Sequence, residues 1–252
     1  MPKMNFKLVF QTQLIPKVHF ITFQTDSEII FSPGQFFSIE VAPKVFRSYS
    51  TVEVSKQPPI FFSESQKLTV LEKGNYVSFM ISTKPGGTAS NFFETKVNEE
   101  ISLEAVGPAG RFGMVSNPQG KVFICTGTGL APFVPMIEGL LAENPDTKIQ
   151  LFFGCWKLSD NFVSQFFQKF EDRIKYPNFK IITVAEDLEG QQENENLRSG
   201  RVTTVIPEIL KDFVTNDFYL CGHPAMVADM ESVLKNSGVT ENIHLEKFGV
   251  VK

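Results

Sequence analysis

Three short stretches carry the residue types from which chemistry can be built. Arg47-Ser48-Tyr49-Ser50-Thr51 sets one cation, one aromatic ring and three hydroxyls within five positions. A planar, phosphate-bearing cofactor needs such a set: a guanidinium for the phosphate, a ring to stack on, and hydroxyls for polar edges. Taken alone, the stretch reads more simply as an ordinary strand with an exposed Arg. The second stretch, Thr126-Gly127-Thr128-Gly129-Leu130-Ala131-Pro132, follows a strand-like run and opens a helix-like one. Its glycines let backbone approach a ligand closely, and Pro132 suits a first helical turn. The bare Gly-x-Gly is weak and falls short of the Gly-x-Gly-x-x-Gly dinucleotide signature. The third stretch, Cys221-Gly222-His223-Pro224-Ala225-Met226, repeats the strand-to-helix junction. Its cysteine is either a small buried hydrophobe or a side chain reaching the crevice of the Gly127 loop.

Two further stretches are weaker on their own. In Lys84-Pro85-Gly86-Gly87-Thr88-Ala89-Ser90-Asn91-Phe92-Phe93, a Gly pair precedes Thr88 and Ser90. Either hydroxyl could cap a short helix whose N–H groups point at a phosphate. A plain loop-to-helix junction accounts for the same residues. Ile243 to Phe248 reads as a last strand, with Glu246 and Phe248 either functional or a solvated edge carboxylate and a core ring.

The elements that must hold these stretches differ between the two halves. From Met4 to about Val106 the apolar residues come in short runs: Val18 to Phe23, Phe36 to Val41, Tyr76 to Ile81 and Ile101 to Val106. Turn residues separate them, as in Ser32-Pro33-Gly34 and Lys73-Gly74-Asn75. Short strands with Gly/Pro turns indicate an antiparallel sandwich or barrel. Beyond Asn117-Pro118-Gln119-Gly120, a natural linker, the pattern changes. Val122 to Cys125, Ile149 to Phe153, Ile181 to Val184 and Phe218 to Cys221 are near-continuous apolar runs, as in parallel strands buried on both faces. Between them Phe162, Phe166, Phe167 and Phe170, and later Met226, Met230, Val233 and Leu234, fall at helical spacing and read as core stripes. Strands alternating with helices imply a parallel, doubly wound sheet, which binds ligands at the carboxyl ends of its strands. The expected division is residues 1–116 and 117–252.

In this order the stretches resemble the ferredoxin–NADP(+) reductase family of flavoprotein oxidoreductases. That family carries an Arg-x-Tyr-Ser flavin motif, a Gly-x-x-Ser diphosphate element, a Gly-Thr-Gly-x-(Ala/Gly)-Pro nucleotide loop and a Cys-Gly-x-Pro-x-Met segment. Gly107-Pro108-Ala109-Gly110-Arg111-Phe112 looks like its Gly-Pro-x-Gly-x-Phe turn. The resemblance implies a Greek-key β-barrel that binds FAD, followed by an α/β domain that binds NAD(P)H. It implies that Arg47 neutralises the flavin diphosphate opposite Gly87, Thr88, Ala89 and Ser90. Tyr49 would stack on the isoalloxazine, with Ser48 beside it in the motif, and Ser50 would bond near flavin N5. Thr126, Gly127, Thr128, Gly129 and Pro132 would take the nucleotide pyrophosphate. Cys221, with Gly222, Pro224 and Met226, would help set the nicotinamide ring, Glu246 would act as its proton or polarity partner, and Phe248 would lie near the flavin. Hydride would pass from nicotinamide C4 to flavin N5, and the flavin would then release single electrons. Ser50, Cys221 and Glu246 are the expected catalytic residues. The stretch from Thr51 to Tyr76 is longer than in common members, and the Val250-Val251-Lys252 end lacks their terminal aromatic.

Phosphate-preferring relatives often have Ser-Arg after the third strand of the second half. Here the residues are Ala185-Glu186-Asp187, which favours NADH, although Arg198 and Gly200-Arg201 resemble elements of NADPH users. The acceptor is open among three classes: a separate ferredoxin, flavodoxin or oxygenase component; a small molecule, as in a flavin reductase or diaphorase; or a nonenzymatic place in a larger assembly. The first is favoured.

Composition narrows the remainder. With 42% hydrophobic and 21% charged residues, the 252-residue chain has the balance of a globular protein. A net charge of −4 argues against nucleic acid or anionic membrane as partners. The 26 Phe read as core filler. Three widely spaced cysteines make neither a disulfide framework nor a cluster ligand set, and the three histidines have no metal-ligand spacing. No apolar run approaches a membrane span. A cytoplasmic protein with no metal of its own is expected.

Overall fold

The computed structural model describes residues 2–57, 73–95, 101–170, 172 and 174–247. The chain divides into two compact units, Met1–Met114 with Ala131–Gly139, and Val115–Leu130 with Leu140–Lys252.

The first unit is a closed barrel of β1 (Lys3–Ile15), β2 (Val18–Ile30), β3 (Phe36–Ala42), β4 (Val45–Ser55), β5 (Lys73–Ser82) and β6 (Ser102–Ala109), with one helix, α1 (Thr88–Thr95). Its strand order is β1-β2-β5-β4-β3-β6, and every neighbouring pair is antiparallel. β3 shows why the sequence closes this way: its even-numbered positions are half-buried while Phe37, Ile39 and Val41 are buried. Strict alternation is the mark of a strand with one face inward. The interior is built on phenylalanine. The ring of Phe6 lies 5.5 Å from that of Phe23, 5.2 Å from Phe37 and 6.0 Å from Phe79, all fully buried. The abundant Phe is core filler here, as its count suggests.

The second unit holds a six-stranded, all-parallel sheet. Its strands are β7 (Gly120–Thr126), β8 (Ile149–Lys157), β9 (Phe179–Asp187), β10 (Leu197–Ser199), β11 (Asn216–Gly222) and β12 (Ile243–Lys247), in the order β10-β9-β8-β7-β11-β12. The helices are α2 (Phe133–Glu143), whose first turns belong to the barrel unit, then α3 (Ser164–Phe167), α4 (Val202–Ile209) and α5 (Pro224–Asn236). The chain leaves β7 to one side for β8 and returns to its other side as β11. That reversal creates the crevice in which doubly wound sheets bind ligands. The helix expected from Phe162 to Phe170 is only the single turn of α3 followed by a 3₁₀ turn, Gln168–Phe170. The four rings are nonetheless all buried. Burial of the aromatic stripe holds the segment, and a helix this short has little stability of its own.

The start of the sheet carries a buried polar network that sequence spacing did not suggest. Lys121 Nζ donates to Asp217 Oδ2 at 2.6 Å and to the Val115 carbonyl at 3.2 Å, with both charged side chains almost fully buried. Tyr219 accepts from the Val115 N–H at 3.0 Å and stacks on His244 at 4.7 Å. A buried charge must be paired, so the network also fixes where Val115 and Asn117 run.

Candidate cofactor sites

In the barrel unit the expected flavin residues sit on β4 and on the loop into α1. Arg47 and Ser48 are exposed, Tyr49 is half-buried, and Ser50 and Thr51 are buried. The register explains this gradient: Tyr49 pairs with Phe37 and Ser50 with Phe36, where the strand turns its residues into the core. Arg47 donates to the adjacent Phe46 carbonyl at 2.8 Å, and among the described residues no carboxylate is paired with it. Ser48 shares a hydrogen bond with Ser38 across β3 at 2.9 Å.

Tyr49 reaches the helix. Its ring meets Phe93 edge-on at 6.2 Å and leans on Phe79 at 6.4 Å. Ala89 and Phe92 pack on the same core cluster. Burial pushes the Tyr49 phenol well above its ordinary pKa, and nearby Arg47 offsets only part of that. The structure thus brings together two stretches that lie some forty residues apart in sequence.

The loop before α1 is a type II-like turn: Gly87 N–H donates to the Lys84 carbonyl at 3.1 Å, with Pro85 and Gly86 at its centre and φ of Gly86 at +75°. Ser90 does not cap the helix from outside. Its Oγ accepts from Lys84 N–H at 2.7 Å, which holds the turn against the helix start. Thr88, Ala89 and Ser90 are the first residues of α1, whose N–H groups have no intrahelical acceptor. Gln11, which the sequence did not single out, donates from β1 to the Phe93 carbonyl at 3.1 Å and ties α1 to the barrel.

In the sheet unit the other two stretches meet at the ends of β7 and β11, where Cys125 and Cys221 are register partners. Gly127–Leu130 forms a 3₁₀ turn, and Ala131 and Pro132 then lead into α2. A Cβ at Gly129 would stand 2.3 Å from the Cys221 carbonyl oxygen, and one at Gly222 would stand 2.5 Å from Thr126 Oγ1. Only glycine allows these backbones to close on each other. Thr126 Oγ1 accepts from His223 N–H at 3.0 Å and completes the interlock. Gly127, by contrast, faces open space and has φ of +53°. His223 caps α5 through Nδ1, which accepts from Ala225 N–H at 3.3 Å. Pro224 is its first residue, and Met226 packs on the sheet's core.

Cys221 is fully buried, and its thiol donates to Glu246 Oε2 at 3.9 Å from the neighbouring strand β12. Burial first, and then the Glu246 carboxylate, push the thiol well above its ordinary pKa. It is therefore a neutral donor at neutral pH. Phe248 and the stretch from 58 to 72, including Ile60-Phe61-Phe62, lie outside the described residues.

Two arginines relevant to a 2′-phosphate are already engaged. Arg201 clasps Glu186 through Nε at 3.0 Å and through a second nitrogen at 3.3 Å, and Arg198 pairs with Glu193 at 3.3 Å. Among the described residues no group of His, Cys, Asp and Glu is arranged to hold a metal ion. No helix among them is long and apolar enough to cross a membrane.

These features fit the two cofactors that the sequence suggests. Helix N–H groups without an intrahelical acceptor, and a guanidinium with no carboxylate partner among the described residues, suit a diphosphate, and an open glycine turn at a sheet's switch point suits a dinucleotide. Comparison with known proteins agrees. Residues 123–232 match the family model of the oxidoreductase NAD-binding domain. The chain is 28% identical over 221 residues to the ferredoxin–NAD(P)(+) reductase component of the naphthalene 1,2-dioxygenase system of Pseudomonas putida. The alignment covers 86% of this chain but only 60% of that relative. The fold is shared with the Amycolatopsis cytochrome P450 reductase GcoB (TM-score 0.82, 22% identity, 98% of this chain and 70% of that one). It is also shared with the flavohem-like FAD/NAD-binding domain of nitric oxide dioxygenase from Vibrio cholerae O1 biovar El Tor (TM-score 0.74, 19% identity, 98% of each chain). Over most of its length the chain is thus similar to ferredoxin–NAD(P)(+) reductase components, and residues 123–232 carry the oxidoreductase NAD-binding domain.

Proposed function

We propose that this chain is an FAD- and NADH-binding oxidoreductase that delivers single electrons to a separate protein acceptor of the ferredoxin, flavodoxin or oxygenase-component kind. The observation that carries this reading is the end of β11, where a buried neutral thiol bonded to Glu246 adjoins the open Gly127 turn. When bound, a flavin supplies hydride acceptance and one-electron release. The chain's own residues do the rest. Arg47 and the α1 N–H groups hold negative charge, and the edge-on support of Tyr49 by Phe93 presents a ring of fixed orientation. The buried Ser50 offers a hydroxyl without bulk water around it. Cys221 keeps its proton and places it toward Glu246, so the nicotinamide side of the crevice is polar but uncharged at sulfur.

Pairing of Arg201 with Glu186 and of Arg198 with Glu193 supports NADH over NADPH, because each cation is already neutralised. The exposed Lys44, Arg47 and Lys84 support an acidic protein acceptor. The three free thiols support a cytoplasmic location.

The test is the visible spectrum of the purified protein, taken before and after anaerobic NADH and then NADPH. Flavin bands that bleach faster with NADH are expected. A colourless protein that gains no spectrum from added FAD overturns the reading.

A further inference from the structure

Gln11 stands on β1 where an apolar residue is expected. Its register partner on β2 is Ile21, fully buried in the barrel core. Gln13 pairs with His19, so Gln11 and His19 are diagonal neighbours on that same face. Both are half-buried. A polar side chain so placed needs a partner. Gln11 Nε2 donates to the Phe93 carbonyl at 3.1 Å and lies 3.4 Å from His19 Nδ1. An aliphatic side chain would fill the position as well. What the amide adds is a directed bond.

That bond ends on α1, a helix of eight residues. So short a helix is marginal alone and takes its position from what it touches. At its start the Ser90 hydroxyl accepts from Lys84 N–H at 2.7 Å. Toward its end the Phe93 carbonyl has no acceptable donor within the helix, because the last turn lacks the residues that would supply one. Gln11 supplies it from the barrel wall. The helix is thus pinned at both ends, and each end carries a group the flavin reading uses. The start holds the N–H groups of Thr88, Ala89 and Ser90, and the Phe93 ring meets Tyr49 edge-on at 6.2 Å.

We propose that Gln11 is a positioning residue of the flavin site: by holding the Phe93 carbonyl it fixes the ring against which Tyr49 rests and the direction of the α1 N–H groups. The inference rests on the functional reading above and deepens it by naming a residue that acts on the flavin through α1.

Two variants test it. Gln11→Met keeps length and bulk and removes the donor. Gln11→Glu keeps the shape and turns a carboxylate toward the carbonyl. Loss of one neutral hydrogen bond makes Gln11→Met bind FAD about two- to tenfold more weakly, and Gln11→Glu should be weaker still. Fluorescence titration of the apoproteins with FAD reads this order. At saturating FAD the visible circular dichroism of the bound flavin should differ from the parent's in both variants, while KM for NADH stays unchanged. Amide exchange in the apoproteins is the control for folding, and faster exchange confined to α1 is expected. Parental FAD affinity in both variants overturns the inference and leaves the function standing. Weaker binding with parental dichroism, or exchange quickened throughout the barrel, makes Gln11 a general brace and overturns its positioning role. A parent apoprotein that takes up no FAD overturns the function, and this inference with it.

Discussion

In the barrel unit, the groups offered to a ligand are side chains and helix N–H groups: Arg47 in solvent, Tyr49 half-buried, and the start of α1. In the sheet unit the corresponding groups are mostly main chain, with Gly129 and Gly222 pressed against Cys221 and Thr126. A site made of side chains can lose ligand affinity while keeping its fold. A site made of interlocked backbone cannot lose one without the other. This difference sets the order of expected effects.

The largest falls on the interlock. In Gly129→Ala the new Cβ would stand 2.3 Å from the Cys221 carbonyl oxygen, and neither backbone is a flexible end that can give way. Overpacking of this kind costs about 3 kcal/mol, roughly 10–20 °C in Tm for a unit of this size. Calorimetry should show the drop, with loss of nucleotide binding accompanying it. A variant with unchanged Tm would mean that the turn and the end of β11 are not held as tightly as their backbones indicate.

The barrel site should respond in the opposite manner. Arg47→Ala removes an exposed cation with no carboxylate partner among the described residues, so the apoprotein should melt where the parent does. A charge-assisted bond is worth about 1.5–3 kcal/mol, so flavin retention should fall by roughly 10- to 100-fold. Flavin content after gel filtration measures this. Unchanged content would remove the diphosphate assignment.

Alkaline pH should separate the units by another route. The sheet unit holds Cys125 and Cys221 raised well above the ordinary thiol value of 9.0, and Cys155 and Tyr219 both pushed up to about 12, in each case mainly by burial. Among the described residues of the barrel unit, Tyr49 alone has a resolved rise to the alkaline side through burial. These folded-state values exceed the unfolded ones, so the unfolded chain releases its protons first. The stability is therefore complete below about pH 9 and is lost as pH rises toward 12. Trp156 emission reports the sheet unit and flavin absorbance the barrel. The midpoint read by Trp156 should fall more steeply between pH 9 and 11, and a steeper fall in the flavin signal would contradict the burial argument.

How much of this was legible in the sequence depended on the range of the interaction. The strands of the barrel showed in residues two apart, as in Phe37, Ile39 and Val41, because one face of each is buried. The sheet strands showed as apolar runs because both faces are. The Gly127 and Cys221 stretches were legible as strand ends, and their meeting followed from the parallel topology. The pairing of Lys121 with Asp217 was not legible, since it joins residues ninety-six positions apart. A lone Lys opening an otherwise apolar run was its one signal. The Gln11 bond to Phe93 was hidden for the same reason. Thr88 or Ser90 suited a helix cap by type and position, but the Ser90 hydroxyl accepts from the Lys84 N–H of the preceding turn instead. Four Phe at helical spacing were rightly core and yet support only one helical turn, because burial and helix length are separate requirements.

The smallest expected effect concerns nucleotide choice, which the sequence left divided between Glu186-Asp187 and the arginines that follow. The structure joins the two sides of that argument: Arg201, a residue suited to a 2′-phosphate, is clasped by Glu186, the residue that would repel one. The pair is largely exposed, with Arg201 at 68% and Glu186 at 31%, so it contributes only about 0.2–1 kcal/mol to stability. Glu186→Gln should therefore lower Tm by no more than about 5 °C. It frees the guanidinium and removes the repelling charge at once. The ratio of kcat/KM for NADPH to that for NADH should rise several-fold, chiefly through KM, since the interaction lies far from the reacting atoms. Adding Arg201→Ala should cancel the NADPH gain without restoring NADH. If Glu186→Gln leaves the ratio unchanged, the end of β9 does not face the ribose, and the barrel and sheet sites differ even more than their construction indicates: one would bind through side chains and the other through backbone alone.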